Sequence, residues 1–191
     1  MSKTIQEIAR ETVALAKKKG AGEAAARIAK TREIEVQWRD GKLEKIQEAT
    51  TRGLGLQLYV DGRYSSVMTS DLRPEALDKF LDDAVALTRT LTKDPFRALP
   101  DPALYKGQPA VDLQLEDPRY GEVTPEERRK RAQALETAAR SVKGSESILS
   151  VTSFVSDTLT ESFRVHSNGF EGSRRDTAFW MGANVSVKDA D

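Results

Sequence analysis

Apolar residues recur at helical spacing near the start of the chain. Ile5, Ile8, Ala9, Thr12, Val13 and Ala16 share one face, which predicts a helix from about Ile5 to Lys19. Thr4 and Glu7 have the spacing of a capping box, and Gly20 supplies a stop. The period then changes to two. Ile34, Val36 and Trp38 alternate with polar residues up to Asp40-Gly41, a tight-turn signal. A return strand over Leu43–Thr51 is expected, although Leu43 and Ile46 break strict alternation. Leu54, Leu56, Leu58 and Val60 form a third strand, and Asp61-Gly62 turns it into a fourth over Tyr64–Thr69. Helical spacing returns over Pro74–Thr92, with Leu77, Phe80, Leu81, Ala84, Val85, Thr88 and Leu91 as its apolar stripe.

The pattern fades over residues 93–123, which hold five of the seven prolines. Such a stretch suits an ordered linker and a domain boundary. Thr124, Pro125 and Glu127 open a third helix with a cap, a proline at the first helical position and a second capping box. Ala132, Leu135, Ala139 and Val142 are expected to face inward, with Gly144 as the stop. Strands follow at Ile148–Val155, Thr158–Ser167 and Phe179–Val187, with turns at Ser156-Asp157 and Asn168-Gly169. The expected fold class is α+β, built as two-layer units of antiparallel β-meander packed against α-helices. The expected organisation is an N-terminal domain over 1–98 (helix, four-stranded meander, helix) and a Pro-rich linker over 99–123. A second α+β domain then starts over 124–191. It holds fewer strands, and the strand at Val185–Val187 has no return, so a truncated chain or a fragment of a longer protein is expected.

Composition narrows the chemistry. The 191 residues suit one large domain or two small ones. Thirty basic residues balance thirty acidic ones, which removes the broad field of a general nucleic-acid binder. There is no cysteine, hence no disulfide, thiolate nucleophile or Cys-ligated metal. The single histidine, His166, cannot build a multi-His site, and no H-E-x-x-H pattern is present. No catalytic, cofactor-binding or metal-binding residue is therefore assigned. Neither a long apolar run nor a signal-peptide pattern occurs, so no membrane is expected and the cytoplasm is the expected location.

Other candidates read blandly. Gly20-Ala21-Gly22-Glu23-Ala24-Ala25 fits a dinucleotide fingerprint, but a helix precedes it and a strand follows, the reverse of what that site requires. Gly53 and Gly55 read as bulge or close-packing positions. Arg128-Arg129-Lys130-Arg131 reads as a solvated helix face, and Arg174-Arg175 is ambiguous. Adjacent Asp82 and Asp83 diverge by about 100° on a helix and cannot share a proton. His166 reads as structural.

Three short runs carry a resemblance. They are Arg39-Asp40-Gly41-Lys42-Leu43-Glu44, Thr51-Arg52-Gly53-Leu54-Gly55-Leu56-Gln57-Leu58 and Val60-Asp61-Gly62-Arg63. Together, after an amphipathic helix, they resemble the N-terminal domain of the TldD/PmbA (TldE) metallopeptidase family. His166-Ser167-Asn168-Gly169-Phe170-Glu171-Gly172 is similar to that family's N-S-x-G-F segment, in the form of its PmbA/TldE branch. His166 stands where Asn is common, and Gln57 where Arg is common.

The resemblance implies a subunit of a cytosolic zinc metalloprotease that acts on unfolded peptides. Peptide-antibiotic maturation and antitoxin turnover are among the family's roles, and an older description is modulator of DNA gyrase. It implies a TldD-type or PmbA-type partner subunit, in a hetero- or homodimer. The zinc would be bound by an HExxxH-type motif late in the TldD-type partner, and no position here matches that motif. The implied role of this chain is scaffold and substrate-chamber wall, inactive alone, with edge strands open to peptide strand addition. The competing reading is a non-catalytic binding or interaction module, with nucleic acid as a ligand through Arg128–Arg131 and Arg174–Arg175. A small hydrolase centred on His166 is a third.

Overall fold

The computed structural model describes residues 3–107 and 111–189. Three helices and five strands follow in the order α1 (Ile5–Lys18), β1 (Glu23–Arg39), β2 (Lys42–Val60), β3 (Arg63–Thr69), α2 (Pro74–Thr90), α3 (Pro125–Arg140), β4 (Ile148–His166) and β5 (Glu171–Val187). The strands form one sheet in the order β3-β2-β1-β4-β5. β1 and β4 run antiparallel, since Ser167 N–H donates to Ala24 O at one end of the pair and Asp40 N–H to Val151 O at the other. The fold is α+β.

Local chemistry sets the element ends. In α1 the Thr4 hydroxyl accepts from Glu7 N–H at 3.2 Å while the Glu7 carboxylate accepts from Thr4 N–H at 2.8 Å. The same box closes α3, between Thr124 and Glu127. α1 ends in paired return bonds, Gly20 N–H to Lys17 O and Ala21 N–H to Ala16 O, with Gly20 at φ +103°. That is the helix stop read from the sequence. Asp40-Gly41 and Asp61-Gly62 both take left-handed φ at both turn residues, the geometry that matches the twist of a two-residue hairpin.

Two expectations are corrected. The four-stranded meander is three strands, because Leu43–Thr51 and Leu54–Val60 form one 19-residue strand, β2. Gly53 and Gly55 do not interrupt it, and a Cβ at either would meet only ordinary contacts at 3.9 Å. The turn at Ser156-Asp157 is likewise absent. β4 runs through both residues, which are buried, because Asp157 has an ion-pair partner on α3. β5 also starts earlier than expected, at Glu171.

The chain divides into two compact units that are not consecutive in sequence. The first comprises Met1–Lys30, Thr51–Leu113 and Glu161–Arg175, the second Thr31–Thr50, Gln114–Thr160 and Asp176–Asp191. β1, β2, β4 and β5 each contribute residues to both units. In the first, α1 and α2 cover one sheet face. Ala24, Ala26 and Ile28 of β1, Leu54, Leu56 and Leu58 of β2, and Phe163 and Val165 of β4 form the floor. The alternation puts the even positions of β1 and β2 under the helices. In the second unit α3 packs on Val36, Val155 and Trp38 through Ala132 and Leu135. Val142 lies beyond that helix and is 58% exposed, contrary to expectation.

Candidate functional site

Two groups of side chains carry the chemistry that the sequence singled out. The first surrounds His166, in the first unit. β4 ends at this residue, and Asn168-Gly169 turns the chain, with Gly169 at φ +99°. The turn closes through His166 N–H to Phe170 O at 2.9 Å. Tyr105, at the end of the short 3-10 turn Pro102–Tyr105, places its hydroxyl 3.1 Å from His166 Nδ1. The Phe170 ring packs on both, with centroids 4.8 Å from His166 and 4.9 Å from Tyr105. Asn168 Nδ2 donates to Pro100 O at 2.8 Å. The group thus ties the proline-rich segment to the β4–β5 turn.

Burial pushes the His166 imidazole below its ordinary value, and the nearby Arg164 charge adds to this. Both effects favour the neutral ring. It accepts or donates one bond to the Tyr105 phenol, and not to a carboxylate that would orient it as a base. The arrangement is a hydrogen-bonded aromatic clasp.

The second group is in the second unit. Arg128, expected on a solvated face, is 3% exposed. Its guanidinium grips Asp157 with both Nε and Nη2, the latter at 2.9 Å, and its Nη1 donates to Val123 O at 2.9 Å. This is the fork geometry in which arginine is strongest. The Asp157 hydrogen bond, above all, holds Arg128 above its ordinary range. Beside them, burial and the Asp157 carboxylate push the Tyr120 phenol up to about 12. The basic run therefore loses its first member to the interior. Asp82 and Asp83 are exposed as expected, and Asp82 shares Lys19 with Asp78.

The Asp40-Gly41 turn is anchored as well as formed. Asp40 accepts from Val151 N–H at 2.9 Å, from the Ser150 hydroxyl at 2.8 Å and from Arg140. Gly41 N–H donates to Glu136, which also holds Arg140. The Val151 amide bond is the main cause that lowers the Asp40 carboxyl below its usual range. The sequence marked Asp40 only as a turn residue, and its long-range partners had no local signal. Among the described residues no group of three or more His, Cys, Asp or Glu side chains could hold a metal ion.

Comparison with known proteins decides the family. Residues 24–88 match the PmbA/TldA metallopeptidase domain 1, and residues 118–191 match the central domain of the same family. The chain belongs to the PmbA/TldD metallopeptidase family. The metalloprotease PmbA of Escherichia coli O157:H7 is 31% identical over 138 residues, which is 72% of this chain and 28% of that protein. A Bacteroides thetaiotaomicron VPI-5482 crystal structure that carries the name modulator of DNA gyrase superposes with a TM-score of 0.86 at 31% identity. The match covers 96% of this chain and 41% of that one. TldE from Thermococcus kodakarensis shares the fold, with a TM-score of 0.69 at 14% identity over 95% of this chain and 40% of its own. The chain thus spans well under half the length of these PmbA/TldD relatives. Both the turn motifs and the His166–Gly172 segment lie in or beside the matched regions.

Proposed function

We propose that this chain is a framework region of a PmbA/TldD-type metallopeptidase subunit. It shapes a chamber for unfolded peptides and does not itself hydrolyse them. The observation that carries this reading is the order of the two matched domains together with the superposition on the Bacteroides protein along 96% of the chain. Hydrolysis of a peptide at a zinc centre needs protein ligands for the metal and a base for its water. The described residues do not fit a zinc ion, since no three potential ligands converge. The reading therefore places zinc in a TldD-type partner, and the working complex in the cytoplasm as a hetero- or homodimer. Among the described residues no helix is long and apolar enough to cross a membrane.

The nucleic-acid module is the weaker reading. Arg128 is buried against Asp157, and Arg175 is paired with Glu161, so both basic runs give up a phosphate-binding group. The test compares this chain alone, its complex with a TldD-type subunit, and that subunit alone. Zinc content is measured by mass spectrometry and cleavage by release of dye from a labelled unfolded protein. Cleavage and zinc in the complex, with neither in this chain alone, is the expected result. Zinc-dependent cleavage by this chain alone overturns the proposal.

A further inference from the structure

The alternation that builds the first unit's core also delivers charge to the same face. Ala24, Ala26 and Ile28 of β1 and Leu54, Leu56 and Leu58 of β2 sit under the helices. One step further along each strand, in the same alternation, come Lys30 and Arg52. At this level the helical layer ends, because α1 begins at Ile5. The space left is a cavity of about 500 Å³, whose lining includes Lys30 and Arg52.

The lining is one-sided in charge. Lys3, Arg174 and Arg175 join Lys30 and Arg52, against a single carboxylate, Glu161. Lys3 pairs with Glu11, and Arg175 pairs with Glu161 at 2.8 Å. Lys30 is half-buried, and neither its side chain nor that of Arg52 has a hydrogen bond or ion pair to another described residue. A half-buried ammonium without a counter-charge costs stability, unless a ligand supplies one. Part of the wall is apolar, from Ile5, Ile8 and Leu72. The capping box takes up the Glu7 amide at the start of α1. Charged side chains above an apolar wall suit carboxylates carried on a chain with apolar neighbours, more than a bare phosphate backbone.

We propose that this cavity binds an acidic peptide segment, with Lys30 and Arg52 as its carboxylate contacts and Ile5, Ile8 and Leu72 receiving an apolar side chain. Its occupancy is measured without cleavage.

The probe is a fluorescein-labelled octapeptide of sequence EELEELEE, with QQLQQLQQ as its neutral counterpart, titrated against the full chain by anisotropy. Saturable binding of the acidic peptide alone, weakening as salt rises, is expected. Lys30→Gln with Arg52→Gln should weaken binding about tenfold. Lys30→Arg with Arg52→Lys should retain it, and Lys143→Gln, outside the cavity, should leave it unchanged. Melting curves check that the variants fold. If the double variant does not fold, Arg52→Gln alone decides, because that residue is exposed. No binding of EELEELEE, equal binding of the two peptides, or no loss in the deciding variant would each overturn the site. So would tighter binding of an eight-nucleotide single-stranded DNA through the same two side chains, which would give the cavity to nucleic acid.

Discussion

The two units solve the same problem with different materials. The first covers its half of the sheet with two helices and closes over a continuous aliphatic floor, from Ala9 and Leu81 down to Ile28, Leu56 and Val165. The second has one helix and a small apolar cluster of Val36, Ala132 and Val155, with Trp38 and Leu135 at its margin. Of the three buried α3 residues, Arg128, Ala132 and Glu136, two are charged. They lie four apart, so they form one inward stripe whose ends must find partners. Arg128 finds Asp157, and Glu136 finds Gly41 N–H and Arg140. Non-directional burial holds the first unit, and matched charge holds much of the second. The first tolerates apolar replacements of similar volume, whereas in the second a buried charge cannot lose its partner without cost.

The largest effect that tests this contrast is loss of one member of the buried pair. Asp157→Ala leaves Arg128 charged and enclosed, and should cost about 3–5 kcal/mol. Replacing both members, with Arg128→Met and Asp157→Leu, should recover most of that loss. Urea denaturation gives the free energies, and hydrogen exchange on α3 and β4 localises them. If the double variant is as unstable as the single one, the loss does not come from an orphaned Arg128 charge. Leu56→Ala in the first unit comes next. It removes a fully buried side chain and should cost roughly 2–5 kcal/mol, without dependence on salt or mild acid. Protection should fall in α1 and α2. A loss that tracked salt would blur the distinction between the units.

The contrast also explains what could be read ahead of the structure. Features whose cause is local were legible: the Thr4–Glu7 and Thr124–Glu127 caps, the Gly20 stop, and the Asp-Gly hairpins. Each is settled within six residues. Ser156-Asp157 looked like a turn because two short polar residues usually mean one. Its partner, Arg128, lies 29 residues earlier on another element. The same pairing hid Arg128 inside a run that looked solvated. The long β2 was misread because glycines usually punctuate strands, while Gly53 and Gly55 here simply lie in one. At the His166 turn the motif was visible, but the clasp with Tyr105 was not, since a bond across 61 residues has no local sign. The cationic cavity needed β1 and β2 to be placed side by side before Lys30 and Arg52 could be seen together.

The caps offer a smaller and more even-handed probe. Thr4→Ala and Thr124→Ala each remove one capping hydroxyl, and each should cost about 1 kcal/mol. The outcomes should differ in reach. α1 is one of two helices over a large core, so exchange after Thr4→Ala should rise mainly in its first turn. α3 is the sole α-helix of its unit and starts immediately before Arg128. Thr124→Ala should therefore also raise exchange around Val155 and Asp157. Equal confinement of both effects would show that the second unit does not lean on its charged helix as argued.

The smallest expected effect runs against the grain of the comparison, because it places a titration in the apolar unit. Burial lowers the folded-state pKa of His166 below its ordinary 6.5. Between these two values the unfolded chain binds the proton and the folded chain does not, so stability falls as pH drops below 6.5. The loss is complete once the folded value is passed, and above 6.5 His166 contributes no slope. Tyr105 and Phe170 face the ring, with Arg164 as the nearby charge that disfavours a second cation. His166→Asn keeps a polar side chain at the strand end and removes the titration. Stability measured from pH 7.5 to 5 should slope less in the variant than in the parent chain. Asp40 in the second unit also has a depressed carboxyl, with its ordinary value at 3.8. Its stabilising contribution is present above that value and is lost as pH falls through the lower folded value. The two units should thus loosen at different acidities, with exchange around Tyr105 and Phe170 rising before exchange around Asp40 and Val151. The reverse order would mean that the anchored Asp40 turn is the weaker of the two links.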